Sequence, residues 1–337
     1  VTRRATASLL LTLAATGCDR TVDPTFSPPN PTATPPPGAD LIVTSDGLAP
    51  GLAAPGPRDV FALSASDGSS PTLLSSCQIR GQHCDTAEAD LSPDGARLVA
   101  RRFTDVATPA DAGIMLVELR ESLEGVVIAP ARRVTGLDYS PRDELVVYSG
   151  QGEGLLDDLW VMRPNGVDDR NLTESLTHHE RRPRIDPTGT VAVFDRAAPG
   201  AKSEIWIFVN RLDQRRVTSG GPGSGTLPGS DLAVGSDLDA VYSPDGAFLA
   251  FRRLAGLGDG RGDWELITCR TDGSALTVIA AGPGVRGAPD WGAGGIVFVE
   301  SDAAGSRIVV VAADGSGRRT VAGVPAGFAL SHPRWLR

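Results

Sequence analysis

Lysine is almost missing from this sequence. Of its 32 basic residues only Lys202 is not an arginine, a bias we assign to genome composition rather than to function. Basic charge as a whole is also short, 32 Lys and Arg against 41 Asp and Glu, a formal net charge of −9. Such a chain is not built to neutralise phosphates, so nucleic acid is excluded as a partner. The four histidines leave little material for a His-ligated transition metal. There is no Gly-x-Ser-x-Gly elbow, no Gly-rich dinucleotide loop and no phosphate loop, and the single lysine does not follow a glycine. Beyond the first residues no apolar run is long enough to span a bilayer. What is abundant is glycine (40), proline (26) and hydrophobic residues (41%), the composition of a turn-rich chain with a sizeable core.

Residues 1–17 read as an export signal, with Arg3 and Arg4, an apolar stretch over 5–16, and small residues at Ala15, Thr16 and Gly17. The ending at Cys18 resembles a bacterial lipobox, with Ala15 where leucine is usual. The resemblance implies a diacylglycerol on Cys18 and membrane attachment through that lipid alone. The expected location is therefore outside the cytoplasm, lipid-anchored to a bacterial membrane. Residues 18–39, with seven prolines and four threonines after Cys18, form a linker that cannot repay ordering by burial. In polyproline II form it reaches on the order of 60 Å.

From residue 40 the chain repeats. An aromatic or aliphatic lead residue, a tight turn and a hydrophobic strand recur at Leu91-Ser92-Pro93-Asp94-Gly95, Tyr139-Ser140-Pro141, Ile185-Asp186-Pro187 and Tyr242-Ser243-Pro244-Asp245-Gly246. A degraded copy begins at Trp291, and Trp335 begins a sixth. Proline presets the second turn position and Asp-Gly reverses the chain. Between these units lies a second one, a strand and an Asn/Asp-Gly turn, as in Asp158-Leu159-Trp160 leading to Pro164-Asn165-Gly166. Each period of about 50 residues therefore holds four strands, the content of a propeller blade.

These two units resemble the TolB-like, WD40-like propeller repeat. The resemblance covers 40–337 and implies an all-β fold, a six-bladed β-propeller of four-stranded antiparallel blades. Leu41–Thr44 corresponds to the second strand of a repeat, and Ser331–Trp335 to a first strand with nothing after it. Docking the two completes blade one and pairs two otherwise open strand edges. A monomer is expected.

In such a disc the Ser-Pro-Asp-Gly and Asp-Gly hairpins share one face and the long, varied connections share the other, where binding is expected. The connection 219–236 by itself reads as a tolerated insertion. First strands line the channel. The residues just before the leads are Asp90, Asp138, Arg184, Val241, Asp290 and Arg334. Three before the leads come Glu88, Gly136, Arg182, Asp239, Ala288 and His332. One of these rows should approach the axis. No cofactor is expected. The carboxylates admit Ca²⁺, but the expected reading is acids and arginines neutralising each other around a wet channel. His178-His179-Glu180 reads as a solvated loop. Cys77 and Cys84 frame six residues in an exported chain and are expected to form a disulfide, leaving Cys269 buried and unpaired.

Propellers of this type also precede the hydrolase domain of prolyl-oligopeptidase-like peptidases, which would need the missing elbow. A lyase or glycosidase at the axis, with Glu88, Asp90 and Asp290 as acid–base groups, is the alternative. The reading adopted is a non-catalytic, lipid-anchored scaffold. It binds an envelope protein or glycan through the long-loop face and the channel residues Glu88, Asp90, Asp138, Arg182, Arg184, Asp239, Asp290, His332 and Arg334.

Overall fold

The computed structural model describes residues 38–48, 58–69, 71–75, 78–79, 82–83, 85–103, 113–119, 126–128, 133–152, 155–258, 260–282 and 285–336. The expected lipidation position Cys18, the expected disulfide positions Cys77 and Cys84, the expected signal and the part of the expected linker up to residue 37 lie outside them. Among the described residues there is no helix.

Among the described residues six antiparallel blade sheets follow one another along the chain, and a two-stranded ribbon of Gln78–Ile79 and Gln82–His83 lies between the first two. Blade 2 comprises Asp85–Leu91, Arg97–Phe103, Gly113–Glu118 and Val126–Val127, taken from its first strand to its fourth. Blade 3 comprises Val134–Tyr139, Val146–Gln151, Asp157–Met162 and Arg170–Asn171. Blade 4 runs through His179–Ile185, Ala192–Ala197, Glu204–Asn210 and Asp213–Arg216. Blade 5 is built of Asp237–Tyr242, Phe248–Gly256, Asp263–Arg270 and Thr277–Ala280. In blade 6 the first strand is split into Val285–Arg286 and Asp290–Gly292, both paired with Gly295–Asp302, and Gly305–Val311 and Arg319–Pro325 follow.

Blade 1 is made from both ends of the domain, as the truncated repeats predict. Leu330–Trp335 pairs with Leu41–Ser45, and Asp59–Leu63 and Thr72–Ser75 complete the sheet. The Thr44 and Ser331 hydroxyls meet at 2.6 Å, and Leu336 N donates to Asp40 O at 2.8 Å. The closing strand also satisfies two edges that would otherwise template aggregation.

The turns work as their sequence dictates. In blade 2 the Ser92 hydroxyl donates to Asp94 at 2.6 Å and accepts from Arg97 N at 2.9 Å, with Gly95 at φ 65°. Asp186 replaces that serine in blade 4 and accepts from Thr190 N and Val191 N. The glycine of the second hairpin has a further role. A Cβ on Gly166 would fall 2.3 Å from Ile128 O, and one on Gly273 2.3 Å from Val217 O. Glycine there lets each outer hairpin close onto the outer strand of the preceding blade.

The core lies in the seams between blades. Ile42, Val60 and Leu74 of blade 1 pack on Ala89, Leu98, Ala100 and Met115 of blade 2. Val297, Val299 and Ile308 of blade 6 pack on Leu41, Phe61 and Leu63 of blade 1. Each blade therefore buries both faces against its neighbours, which is why its middle strands read as nearly continuous apolar runs. The 219–236 connection is more than an insertion. Val234 is buried with Leu238, Leu254 and Trp264, and Leu227 and Leu232 pack on them, capping blade 5.

Candidate functional site

A bulge in the first strand decides what reaches the axis. Register shifts fall between Thr86 and Glu88, Val134 and Gly136, Arg181 and Arg184, and Leu238 and Val241. In blades 1, 4 and 5 the shift takes in the residue three before the lead, whereas in blades 2 and 3 it falls one residue earlier, at Ala87 and Thr135. Arg182, Asp239 and His332 hold the position three before the lead with left-handed backbone, at φ 54°, 56° and 48°. Such angles cost non-glycine residues roughly 1–2 kcal/mol each and persist only where the surroundings enforce them. In blade 3 the position is Gly136, where a Cβ would come 2.7 Å from Arg182 Cα.

In blades 2 and 3 the two candidate rows stay on one face, since Glu88 and Asp90 pair in unbroken register with Arg101 and Val99, and Gly136 and Asp138 with Ser149 and Val147. In the row one before the lead, Val241 joins the apolar core between blades 5 and 6 and three acids turn toward the next blade. Asp90 accepts from Tyr139 N (2.8 Å), Asp138 from Ile185 N (2.7 Å) and Asp290 from Trp335 N (2.8 Å). In all three the acceptor is the residue before a lead and the donor is the lead of the following blade, so these carboxylates staple first strand to first strand.

A second set of staples comes from the second strands. Ser149 accepts from Arg182 N at 3.0 Å, and Asp195 accepts from Asp239 N at 3.0 Å. Arg101 donates to Val134 O at 3.3 Å. Arg101, Ser149, Asp195 and Arg252 each lie ten residues after a lead, a regular offset that is visible in the sequence.

The charged side chains form two chains of alternating sign. In one, Arg252 binds Asp239, which meets Arg182 at 3.3 Å, and Arg182 binds Asp195. In the other, Arg101 lies 3.9 Å from Glu88. Arg334 then reaches Glu88 at 2.6 Å and Asp138 at 2.8 Å, and Asp138 also meets Arg184 at 3.3 Å. Arg334 belongs to blade 1 yet donates to Leu137 O and Asp138 of blade 3, reaching past blade 2. It is 1% exposed, and Asp138 is 0% exposed. The expected wet channel is therefore corrected here. Glu88, Asp90, Asp138, Arg184, Asp239, Asp290 and Arg334 are all buried, Asp90 and Asp290 against backbone donors and the others in direct contact with opposite charges, so acids and arginines do neutralise each other but away from solvent.

Burial also sets the protonation states. Burial pushes His332 down to about 4, with Arg101 and Arg184 adding to it and Glu88 and Asp239 opposing, so it is neutral at pH 7. Its Nδ1 has no hydrogen-bond partner. Burial and the Asp239 charge push Asp195 up to about 7. Asp239 is buried too, but Arg252 and Arg182 hold it below the usual carboxylate range.

On the long-loop face, a cleft between blades 4 and 5 leads inward past His179, Arg181 and Asp231 to Arg182 and Asp195. Its volume of about 20 Å³ suits one or two waters rather than an organic ligand. His179 is corrected from the expected solvated loop. It opens the first strand of blade 4, half-buried, with Nδ1 3.0 Å from Asp157 Oδ2. On the same face Leu155 and Leu176 are 75% and 78% exposed. A wider groove of about 660 Å³ lies on the hairpin face between blades 5 and 6, lined by Pro244, Phe248, Thr277 and Trp291. Among the described residues no three His, Cys, Asp or Glu side chains are placed to hold a metal ion. Cys269 is buried and unpaired, as expected, and burial pushes its thiol up to about 12.

No family model and no curated sequence matches the chain. Solved structures do match its fold. TolB from Acinetobacter baumannii aligns with a TM-score of 0.66 at 13% identity, over 88% of this chain and 66% of that one. This chain thus spans just under two thirds of that protein's length. A structure described as a TolB from Agrobacterium tumefaciens aligns with a TM-score of 0.60 at 15% identity, over 89% and 99% of the two chains. A peptidase from Mycobacterium tuberculosis that hydrolyses puromycin aligns with a TM-score of 0.51 at 14% identity, but over only 42% of its length. The fold of residues 38–336 is a TolB-like six-bladed β-propeller.

Proposed function

We propose that this TolB-like propeller is a non-catalytic binding scaffold of a bacterial cell envelope, held to a membrane by a lipid on Cys18. It engages an envelope protein through the long-loop face around the channel mouth. The observation that carries this reading is the disposition of the axial acids. Glu88, Asp138, Asp195 and Asp239 are bound to arginines, and Asp90 and Asp290 to backbone donors. Acid–base chemistry needs a carboxyl group free to reach a substrate proton. Meanwhile the long-loop face exposes Leu155 and Leu176 beside charged groups at the cleft, the mixture that a protein interface uses. The likeness to TolB structures supports the same assignment.

The test is co-purification from detergent-solubilised envelopes with the lipid-bearing full chain as bait, alongside Leu176→Glu/Asp231→Arg. Stoichiometric capture by the parent and loss in the double variant is the expected result. Turnover of an envelope glycan that disappears in Glu88→Gln or Asp290→Asn would replace the scaffold with a lyase or glycosidase.

A further inference from the structure

Among the described residues Arg102 has no counter-charge. It is the next-to-last residue of the second strand of blade 2, at the end that approaches the long-loop face, and it is 6% exposed. Its Nε and Nη1 have no hydrogen-bond partner, and burial lowers its pKa from the ordinary arginine value with no acid to oppose it. The other well-covered arginines differ. Arg58 meets Asp85, Arg182 meets Asp195, Arg184 and Arg334 meet Asp138, and Arg253 meets Asp237. A guanidinium does not lose its proton in a protein, so Arg102 cannot escape burial by neutralising. A buried charge of this kind calls for an anion.

A second orphan sits beside it. Thr86 is the cross-strand partner of Arg102, so both side chains project from one face of the blade. Thr86 is 1% exposed and its hydroxyl also lacks a partner. That face is the one on which Ala89, Leu98 and Ala100 pack against blade 1. The apolar seam therefore ends, at its long-loop side, in one unpaired cation and one unpaired hydroxyl. Blade 1 is close at hand, since Thr86 N donates to Arg58 O at 3.1 Å. The Arg58 guanidinium is already committed to Asp85.

We propose that Arg102 and Thr86 form an oxyanion-binding site in the seam between blades 1 and 2, taking one carboxylate or phosphate group. The guanidinium supplies charge-assisted hydrogen bonds and the hydroxyl adds one more. The site is separate from the axial charge chains and does not rest on the scaffold reading.

The experiment is thermal unfolding of the full chain in sodium chloride buffers of equal ionic strength, titrated with inorganic phosphate and, in a second arm, acetate. The parent midpoint should rise and saturate with at least one of them, as expected for a ligand of the native state. The arm that responds at the lower concentration separates phosphate from carboxylate. Arg102→Met should abolish the response and unfold higher than the parent in chloride alone, because an unpaired charge has gone. Thr86→Val keeps shape and charge and should weaken the apparent affinity about tenfold, the worth of one hydrogen bond to a charged group. A parent that responds to neither anion overturns the proposal, as does Arg102→Met responding like the parent. A response that appears only after Asp105, Asp111, Glu121 and Glu124 are neutralised also overturns it, by showing that the chain fills the site itself.

Discussion

Replacing Asp138 by alanine tests whether the axial charges are structural. Three groups lose their acceptor at once: Ile185 N at 2.7 Å, Arg334 Nη1 at 2.8 Å and Arg184 Nη1 at 3.3 Å. An orphaned buried N–H costs about 1–3 kcal/mol. Stripping one partner from a buried ion pair costs about 3–5 kcal/mol, but Arg334 keeps Glu88 at 2.6 Å, which offsets part of it. The expected loss is about 4 kcal/mol. At roughly 2 °C per kcal/mol for a domain of this size, the melting midpoint should fall by about 8 °C. Asp90→Ala leaves fewer groups without an acceptor, chiefly Tyr139 N, and should cost only about 1–3 kcal/mol. Urea unfolding followed by tryptophan fluorescence and by far-ultraviolet circular dichroism measures both. A loss below about 0.5 kcal/mol for Asp138→Ala is the behaviour of a solvated surface group and would refute the staple and ion-chain account.

The remaining predictions concern the same construction. His332 is held down to about 4 in the folded protein, below its ordinary 6.5, so between those values the unfolded chain binds more protons and stability falls as pH falls. His332→Asn, which tolerates left-handed backbone, should remove roughly 2 kcal/mol of that acid-side loss, and parallel pH–stability curves for the two proteins would contradict it. Gly136→Ala forces a Cβ to 2.7 Å from Arg182 Cα and should cost about 1–3 kcal/mol in urea unfolding, with no change in spectrum. Deleting 329–337 removes the first strand of blade 1, the Trp335–Asp290 staple and Arg334 together, so the shortened chain should be found in the insoluble fraction.

How much of this was legible in sequence differs by level. Blade number, the pairing of Leu41–Ser45 with Leu330–Trp335 and the two hairpin types follow from turn chemistry, which is local, so Ser92-Pro93-Asp94-Gly95 announces itself. The axial site is not local. Simple alternation places Asp90 and Glu88 on one face, and their register with Val99 and Arg101 keeps them there, but Arg182, Asp239 and His332 fall within register shifts that alternation does not foresee. Nothing in the residue types Arg182, Asp239 and His332 signals left-handed backbone; contacts with neighbouring blades impose it. Asp195, Arg101 and Arg252 escaped because strands after a turn were read for hydrophobicity, where a charge looks like an exposed end. Burial of the axial charges depends on Arg334 reaching from blade 1 to blade 3, a distance that only the closed ring defines.

The scaffold assignment meets its most direct test in quantitative co-purification from solubilised envelopes, comparing the parent chain, Leu176→Glu/Asp231→Arg and Cys18→Ser. Both altered positions of the double variant are exposed, and Asp231 meets Arg181 at 3.3 Å, so the double variant should stay folded with a loss of no more than about 1 kcal/mol. The account predicts one protein captured in stoichiometric amount by the parent, the same protein lost by the double variant, and Cys18→Ser recovered from the soluble fraction still able to bind it. Equal capture by parent and double variant, or a glycan consumed by the parent with no protein retained, would contradict it.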